Sequence, residues 1–71
     1  MIRTEEEILK DFEKSGYKIT ENNSRWLELL LEDNNLRIMV FKADMTYISD
    51  DYINMQEHKL LHELFLCWSW I

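Results

Sequence analysis

The sequence predicts a small α+β domain in which two helices pack on an antiparallel sheet of three strands, with residues 1–71 forming one domain. Apolar residues recur at helical spacing near both ends of the chain and alternate with polar residues in the middle. Asn, Asp and Ser mark the turns between the elements, because the chain has no proline and one glycine. The expected order is therefore helix, hairpin-rich sheet, helix.

The first helix is predicted to begin at Thr4 and to end at Gly16. Thr4 and Glu7 have the spacing of a capping box, in which each side chain bonds to the other's backbone N–H. Gly16 adopts a left-handed conformation at low cost, which suits the residue after a helix end. If Gly16 has that position, Phe12 and Tyr17 occupy the two positions that touch in a Schellman ending.

The central element is a β-hairpin over residues 25–42. Apolar residues alternate in both of its strands, and residues 34 and 35 supply a two-residue loop, since asparagine tolerates positive φ. This register places Leu31 opposite Ile38 and Glu32 opposite Arg37, a favourable charge pair. The residues predicted to share the apolar face are Leu27, Leu29, Leu31, Leu36, Ile38 and Val40.

The segments on either side of the hairpin are less regular. Tyr17 and Ile19 start a short strand before it, and residues 46–48 after it fit either a short edge strand or a loop.

The second face of the hairpin carries Trp26, Leu30, Met39 and Phe41 among charged residues. A sheet surface in contact with water is usually more polar than this. Either the first helix covers this face, or a partner does.

The last helix is predicted to begin at Asn54, which is spaced from Glu57 as an N-cap is from N3. Asp50 and Asp51 offer an earlier start. Leu66 and Trp70 fall on its outer side, where a solvated helix would be polar. The residues expected on its core-facing stripe are Leu60, Leu61, Leu64, Phe65, Cys67, Trp68 and Ile71.

The residue types that act in catalysis in other proteins, histidine, cysteine and the carboxylates, do not form a catalytic motif in this sequence. His58 and His62 share a helix face, but a catalytic zinc site needs a third protein ligand. Cys67 projects into the apolar stripe, away from both histidines, as an inert buried thiol does. The carboxylates fall at turns and exposed positions. We therefore expect a non-enzyme with no cofactor and no metal.

The charge of the chain restricts its partners. The formal net charge is -6 and no stretch is basic, which disfavours nucleic acid and anionic membranes. The natural electrostatic partner is a basic protein surface. The first residues lack the apolar core of a signal peptide, and the apolar C-terminal run is too short to cross a bilayer. A cytoplasmic location is expected.

The order α-β-β-β-α resembles that of the double-stranded-RNA-binding domain. That family binds RNA with a basic helix start and a lysine-rich patch, whereas the last helix here is acidic, so the resemblance implies neither RNA binding nor site residues. In size, acidity and lack of catalytic motifs, the chain resembles small phage-encoded proteins that block host enzymes or defence systems.

These observations predict an acidic protein-interaction module, a regulator or inhibitor that docks on a larger basic protein such as a nucleic-acid-processing or defence enzyme. The alternative is an obligate homodimer with a structural or accessory role, since association supplies burial that a small core lacks. The predicted interface residues are Trp26, Met39, Phe41, Leu66, Trp70, Asp44, Asp50 and Asp51.

Overall fold

A computed structural model describes residues 2–33 and 35–69 of the chain. These residues form two helices and a four-stranded antiparallel sheet whose strands pair in chain order. The α+β class is thereby confirmed, and the prediction of three strands is wrong by one. The elements are α1 (Glu5–Lys14), β1 (Tyr17–Asn22), β2 (Trp26–Leu31), β3 (Leu36–Phe41), β4 (Thr46–Ser49) and α2 (Met55–Ser69).

The additional strand is β4, in the segment that the sequence left open between strand and loop. It pairs with β3, with Thr46 opposite Phe41 and Ile48 opposite Met39. The turn before it depends on Met45, which has a φ of 55°. Methionine is not a residue that favours positive φ, so no turn signal was present at that position.

The predicted ends of α1 are confirmed. The Glu7 N–H donates to Thr4 Oγ1 at 3.3 Å, and the Thr4 N–H donates to Glu7 Oε1 at 3.1 Å. Gly16 has a φ of 100°. The rings of Phe12 and Tyr17 meet edge to face with their centroids 5.5 Å apart, a contact of the kind that frequently accompanies a Schellman ending.

The predicted hairpin and its apolar face are confirmed, but its register is wrong. Leu31 pairs with Leu36, and Arg37 pairs with Leu30 instead of Glu32. The strands are joined by four residues, 32–35, with the Asn35 N–H bonded to the Glu32 carbonyl at 3.3 Å. The register therefore differs by two positions from that of a two-residue loop. A shift of two leaves every side chain on its predicted face.

Both helices lie on the same face of the sheet. Ile8 and Phe12 of α1 and Leu61 and Leu64 of α2 are buried in one cluster with the apolar residues of β2 and β3. The possibility that α1 covers the second sheet face is therefore excluded. Along α2, Phe65, Cys67 and Trp68 pack partly buried against this cluster, and Ile71 lies outside the described residues.

The first turn of α2 is anchored through a buried carboxylate. Reciprocal backbone-to-side-chain bonds of 2.8 Å between Asn54 and Glu57 confirm the predicted capping box and exclude the earlier start. Glu57 is only 6% exposed and also accepts a hydrogen bond from the Tyr17 hydroxyl. Burial and this bond to Glu57 raise the pKa of Tyr17 above its usual value. This contact between α2 and β1 was not predicted from the sequence.

A second polar cluster fixes the other end of α2. Trp68 Nε1 donates to Glu5 Oε1 at 2.6 Å, and Lys42 Nζ lies 3.5 Å from the same oxygen and 5.5 Å from the centroid of the Trp68 ring. Partial burial alone would raise the pKa of Glu5. The hydrogen bonds from Trp68 and Asn22 and the charge of Lys42 outweigh burial, and the pKa is lowered.

Candidate protein-binding surface

The sheet face opposite the helices, here called the uncovered face, is built from alternate residues of all four strands. Pairing in the ladders places these residues on the side away from the core cluster. More than half of its central positions are apolar, unlike a sheet face in contact with water. Its central residues are Trp26, Glu28, Leu30, Arg37, Met39, Phe41, Thr46 and Ile48.

Three of the predicted interface residues meet on this face. Trp26 of β2 lies directly opposite Phe41 of β3. Met39 lies between Glu28 on one side and Ile48 on the other. Because directly opposed side chains in a sheet are about 4.5–5.5 Å apart at Cβ, the sheet joins Trp26, Phe41, Met39 and Ile48 into one apolar surface.

The side chains of this apolar surface differ in the fraction that is exposed to water. Ile48, at the edge of the sheet, is 63% exposed, whereas Trp26, Met39 and Phe41 are half-buried. None of the four belongs to the core cluster or packs against it. Their partial burial comes from neighbouring strands, so a flat partner surface would remove further apolar area from water.

The charged groups of the uncovered face are loosely paired. Arg37 Nε lies 3.9 Å from Glu28 Oε2, and Lys18 Nζ lies 3.9 Å from Glu32 Oε1. Thr20 Oγ1 donates to Glu28 Oε2 at 2.9 Å. Ion pairs of this length near water contribute little to stability. These side chains can therefore leave their present ion pairs and contact a partner at a small cost in free energy.

Leu66, a further predicted interface residue, does not join this face. Leu66 lies on α2, in the opposite layer of the molecule, and is 46% exposed. It lines a small cavity of about 80 Å³ with Ile2, Arg3 and Glu63. Arg3 fixes this corner by donating to Glu63 at 2.7 and 3.1 Å. Trp70 lies outside the described residues.

The three predicted aspartates flank β4 instead of forming one patch. Asp44 lies in the turn before β4, and Asp50 and Asp51 follow it. The strand β4, which is about 13 Å long, separates Asp44 from Asp50 and Asp51. Asp50 Oδ2 accepts a bond from the Arg37 N–H at 3.3 Å, and Asp51 Oδ1 accepts one from the Tyr52 N–H at 2.7 Å.

Further exposed apolar residues were not predicted as interface residues from the sequence. Tyr52 and Met55, in the connection from β4 and at the start of α2, are 97% and 89% exposed. Neither belongs to a periodic apolar pattern, so no sequence signal separates them from turn residues. Ile48 did carry a signal, because Tyr47 and Ile48 are residue types that favour strands, but the strand was too short for a firm assignment.

The histidines and the cysteine lie in separate surroundings. His58 Nε2 is 3.4 Å from the Tyr47 hydroxyl, with the two rings edge to face. Cys67 is half-buried and packs against the core cluster. Within residues 2–33 and 35–69, no group of three or more His, Cys, Asp or Glu side chains is placed to hold a metal ion.

The described part of the chain also contains no helix that is both long enough and apolar enough to cross a membrane. The chain matches no protein-family model, no curated protein and no solved structure.

Proposed function

We propose that this chain is a non-catalytic protein-interaction module of the cytoplasm that docks its uncovered face on a larger protein with a basic surface. The observation that carries the proposal is the apolar surface formed by Trp26, Met39, Phe41 and Ile48 on the side without helices. Aromatic residues and methionine are enriched at the centres of protein interfaces, whereas a sheet face in contact with water is usually polar.

The size of the uncovered face favours a larger partner over a second copy. Four strands spaced about 4.8 Å apart, three of them about 20 Å long and β4 about 13 Å long, present roughly 350 Å². A stable interface of standard size takes about 800 Å² from each partner. Two uncovered faces stacked on each other would fall short, whereas a larger protein can also contact the rim of the sheet.

The charge of the rim supports a basic partner. Glu28 on the face, Asp44 at one end of β4, and Asp50 and Asp51 at the other surround the apolar surface with carboxylates. The chain as a whole has a net charge of -6. Such a distribution raises the rate of association with a positively charged surface and does so less at high salt.

A regulatory or inhibitory role follows if the surface that is covered belongs to an enzyme. Nucleic-acid-processing and defence enzymes carry basic grooves, and a small acidic domain docked there would exclude the nucleic acid. This form of the proposal rests on the likeness in size and charge to small phage-type proteins, which is a likeness of type.

The test is site-specific photo-crosslinking in the native cell, with p-benzoylphenylalanine at position 39 on the uncovered face or at position 56 on α2. We expect a larger protein to be crosslinked from position 39 and not from position 56. Met39→Lys should abolish the association of the purified pair, since it places a charge among Trp26 and Phe41. Gln56→Lys, which adds the same charge at an exposed helix position, should not.

Three outcomes would contradict the proposal. Crosslinking of the chain only to itself from position 39, with a dimer in light scattering, would support the homodimer instead. Crosslinking from neither position would remove the uncovered face as a binding surface. Association that is unchanged in molar salt would refute the basic partner while leaving the apolar contact standing.

A further inference from the structure

The outer edge of β4 is a strand edge that remains open among the described residues. β4 is the last strand of the sheet, and the Asp50 N–H bonds to the Arg37 carbonyl of β3 at 3.1 Å. Backbone groups of an antiparallel strand alternate in direction. Those of Tyr47 and Ser49 therefore point away from β3, and no other group in the described residues bonds to their N–H groups.

The opposite edge of the sheet is protected in a way that β4 is not. β1 contains a bulge, because the register between β1 and β2 shifts at Thr20. Bulges on edge strands hinder pairing with another chain. The four residues of β4 have no such irregularity in their pairing with β3.

A cavity of about 420 Å³ lies next to this open edge. It is lined by residues of β4, of the connection that follows and of the first turn of α2, among them Tyr47, Ser49, Ile53 and His58. The Tyr47 and His58 rings meet edge to face with centroids 5.9 Å apart and form one wall. A strand added to β4 would direct alternate side chains toward this cavity.

The aspartates at the two ends of β4 determine which kind of strand can pair with its open edge. In an antiparallel pairing of β4 with a second copy, Tyr47 facing Tyr47 would set Asp44 opposite Asp50. Moving the register by one hydrogen-bonded pair still leaves Asp44 diagonal to Asp50. Like charges placed opposite each other destabilise a sheet, and charged flanks are a known protection against self-pairing. A segment with lysine or arginine at both ends would gain from the same charges.

We propose that the β4 edge binds an extended segment of another protein by strand addition, with basic residues on either side of the segment's central residues. Tyr47 and Ser49 would supply the backbone bonds, and the cavity beside α2 would take one side chain. This edge differs from the uncovered face, so the inference does not rest on the function proposed above.

The experiment is an amide NMR titration of the full chain with the peptide acetyl-KVTVTK-amide. We expect saturable shifts centred on the amides of Tyr47 and Ser49. The acidic peptide acetyl-EVTVTE-amide should bind at least about tenfold more weakly, a difference of about 1.4 kcal/mol. A peptide N-methylated on alternate residues should not bind, since it cannot form the backbone ladder.

Two variants separate backbone pairing from general stickiness. Ser49→Pro removes an outward N–H that β3 does not use, so the fold is kept and peptide binding should be lost. Ser49→Ala keeps the N–H and should bind as the parent chain does.

Several results would overturn the proposal. One is the absence of saturable shifts at millimolar peptide. Others are shifts centred on β1 or on the uncovered face, equal binding of both peptides, and undiminished binding by Ser49→Pro. A concentration-dependent dimer paired through β4 would show instead that a second copy is the occupant.

Discussion

On the covered face of the sheet, Ile38 and Leu29 are fully buried beneath the helices, whereas their strand neighbours Met39 and Leu30 are half-buried on the other side. Both pairs are large and apolar, and they alternate along the same two strands. The covered face obtains its burial from α1 and α2, and the uncovered face obtains its own from adjacent strands. The sheet thus has the composition of one that is covered on both sides, with helices on only one.

The largest expected difference between the two faces is in stability. Ile38→Ala should lower the free energy of unfolding by about 2–5 kcal/mol, because it leaves a cavity in the core. Met39→Ala, one residue along β3, should cost less than about 1 kcal/mol. Urea unfolding followed by circular dichroism measures both. An equal cost at Met39 would mean that the uncovered face is already buried, and unfolding would then depend on protein concentration.

A smaller effect is expected at the buried contact between β1 and α2. Tyr17→Phe removes the hydroxyl that donates to buried Glu57, and should cost about 1–3 kcal/mol because the carboxylate loses a partner. Tyr47→Phe, whose hydroxyl is exposed beside His58, should change stability by less than about 0.5 kcal/mol. Equal effects of the two substitutions would show that the bond to Glu57 is not what anchors α2.

The same contact predicts a pH dependence. Because the pKa of Tyr17 is raised in the folded chain, its contribution is complete below the ordinary tyrosine pKa of about 10 and is lost as the pH rises beyond that value. The difference in unfolding free energy between the parent chain and Tyr17→Phe should therefore shrink with increasing alkalinity. A difference that stays constant would contradict the assignment.

The smallest expected effect is the difference in stability between substitutions of two glutamates that lie on opposite sides of the sheet. Glu5→Gln weakens the cluster with Trp68 and Lys42 and should cost about 1 kcal/mol at neutral pH. Glu28→Gln, on the uncovered face, should cost less than about 0.5 kcal/mol. Since the pKa of Glu5 is lowered by folding, its contribution is present above the ordinary carboxyl pKa and disappears as the pH falls through the folded value. A cost for Glu5→Gln that persists in strong acid would refute this.

The parts of the fold that the sequence predicted correctly are those with local signals. The capping residues Thr4 and Asn54, and the left-handed Gly16, each act on groups within a few positions along the chain. The two apolar faces were also predictable, because a period of two survives a shift of the hairpin register by two residues. The register itself was not, since Asn34 and Asn35 are compatible with more than one loop length.

The remaining features depend on contacts that no short pattern contains. The contact between Tyr17 and Glu57 joins residues 40 positions apart, and Glu57 carried only the signal of a capping residue. The uncovered face was foreseen at Trp26, Met39 and Phe41, but the sequence could not decide whether α1 would cover it. Where Leu66 and the aspartates lie relative to that face could not be predicted, because helix and strand periodicity define faces without placing the elements in space.

The order of strands has a consequence for how the chain assembles. Each strand pairs with the next one along the sequence, so the sheet forms by closing short loops. The helical layer instead depends on Arg3 meeting Glu63 and on Glu5 meeting Trp68, which are 60 and 63 positions apart. Closing a loop of about 60 residues instead of about 10 costs about 1.6 kcal/mol more in chain entropy. The contacts between the most widely separated parts of this chain are thus made in one event, the docking of its last helix on its first.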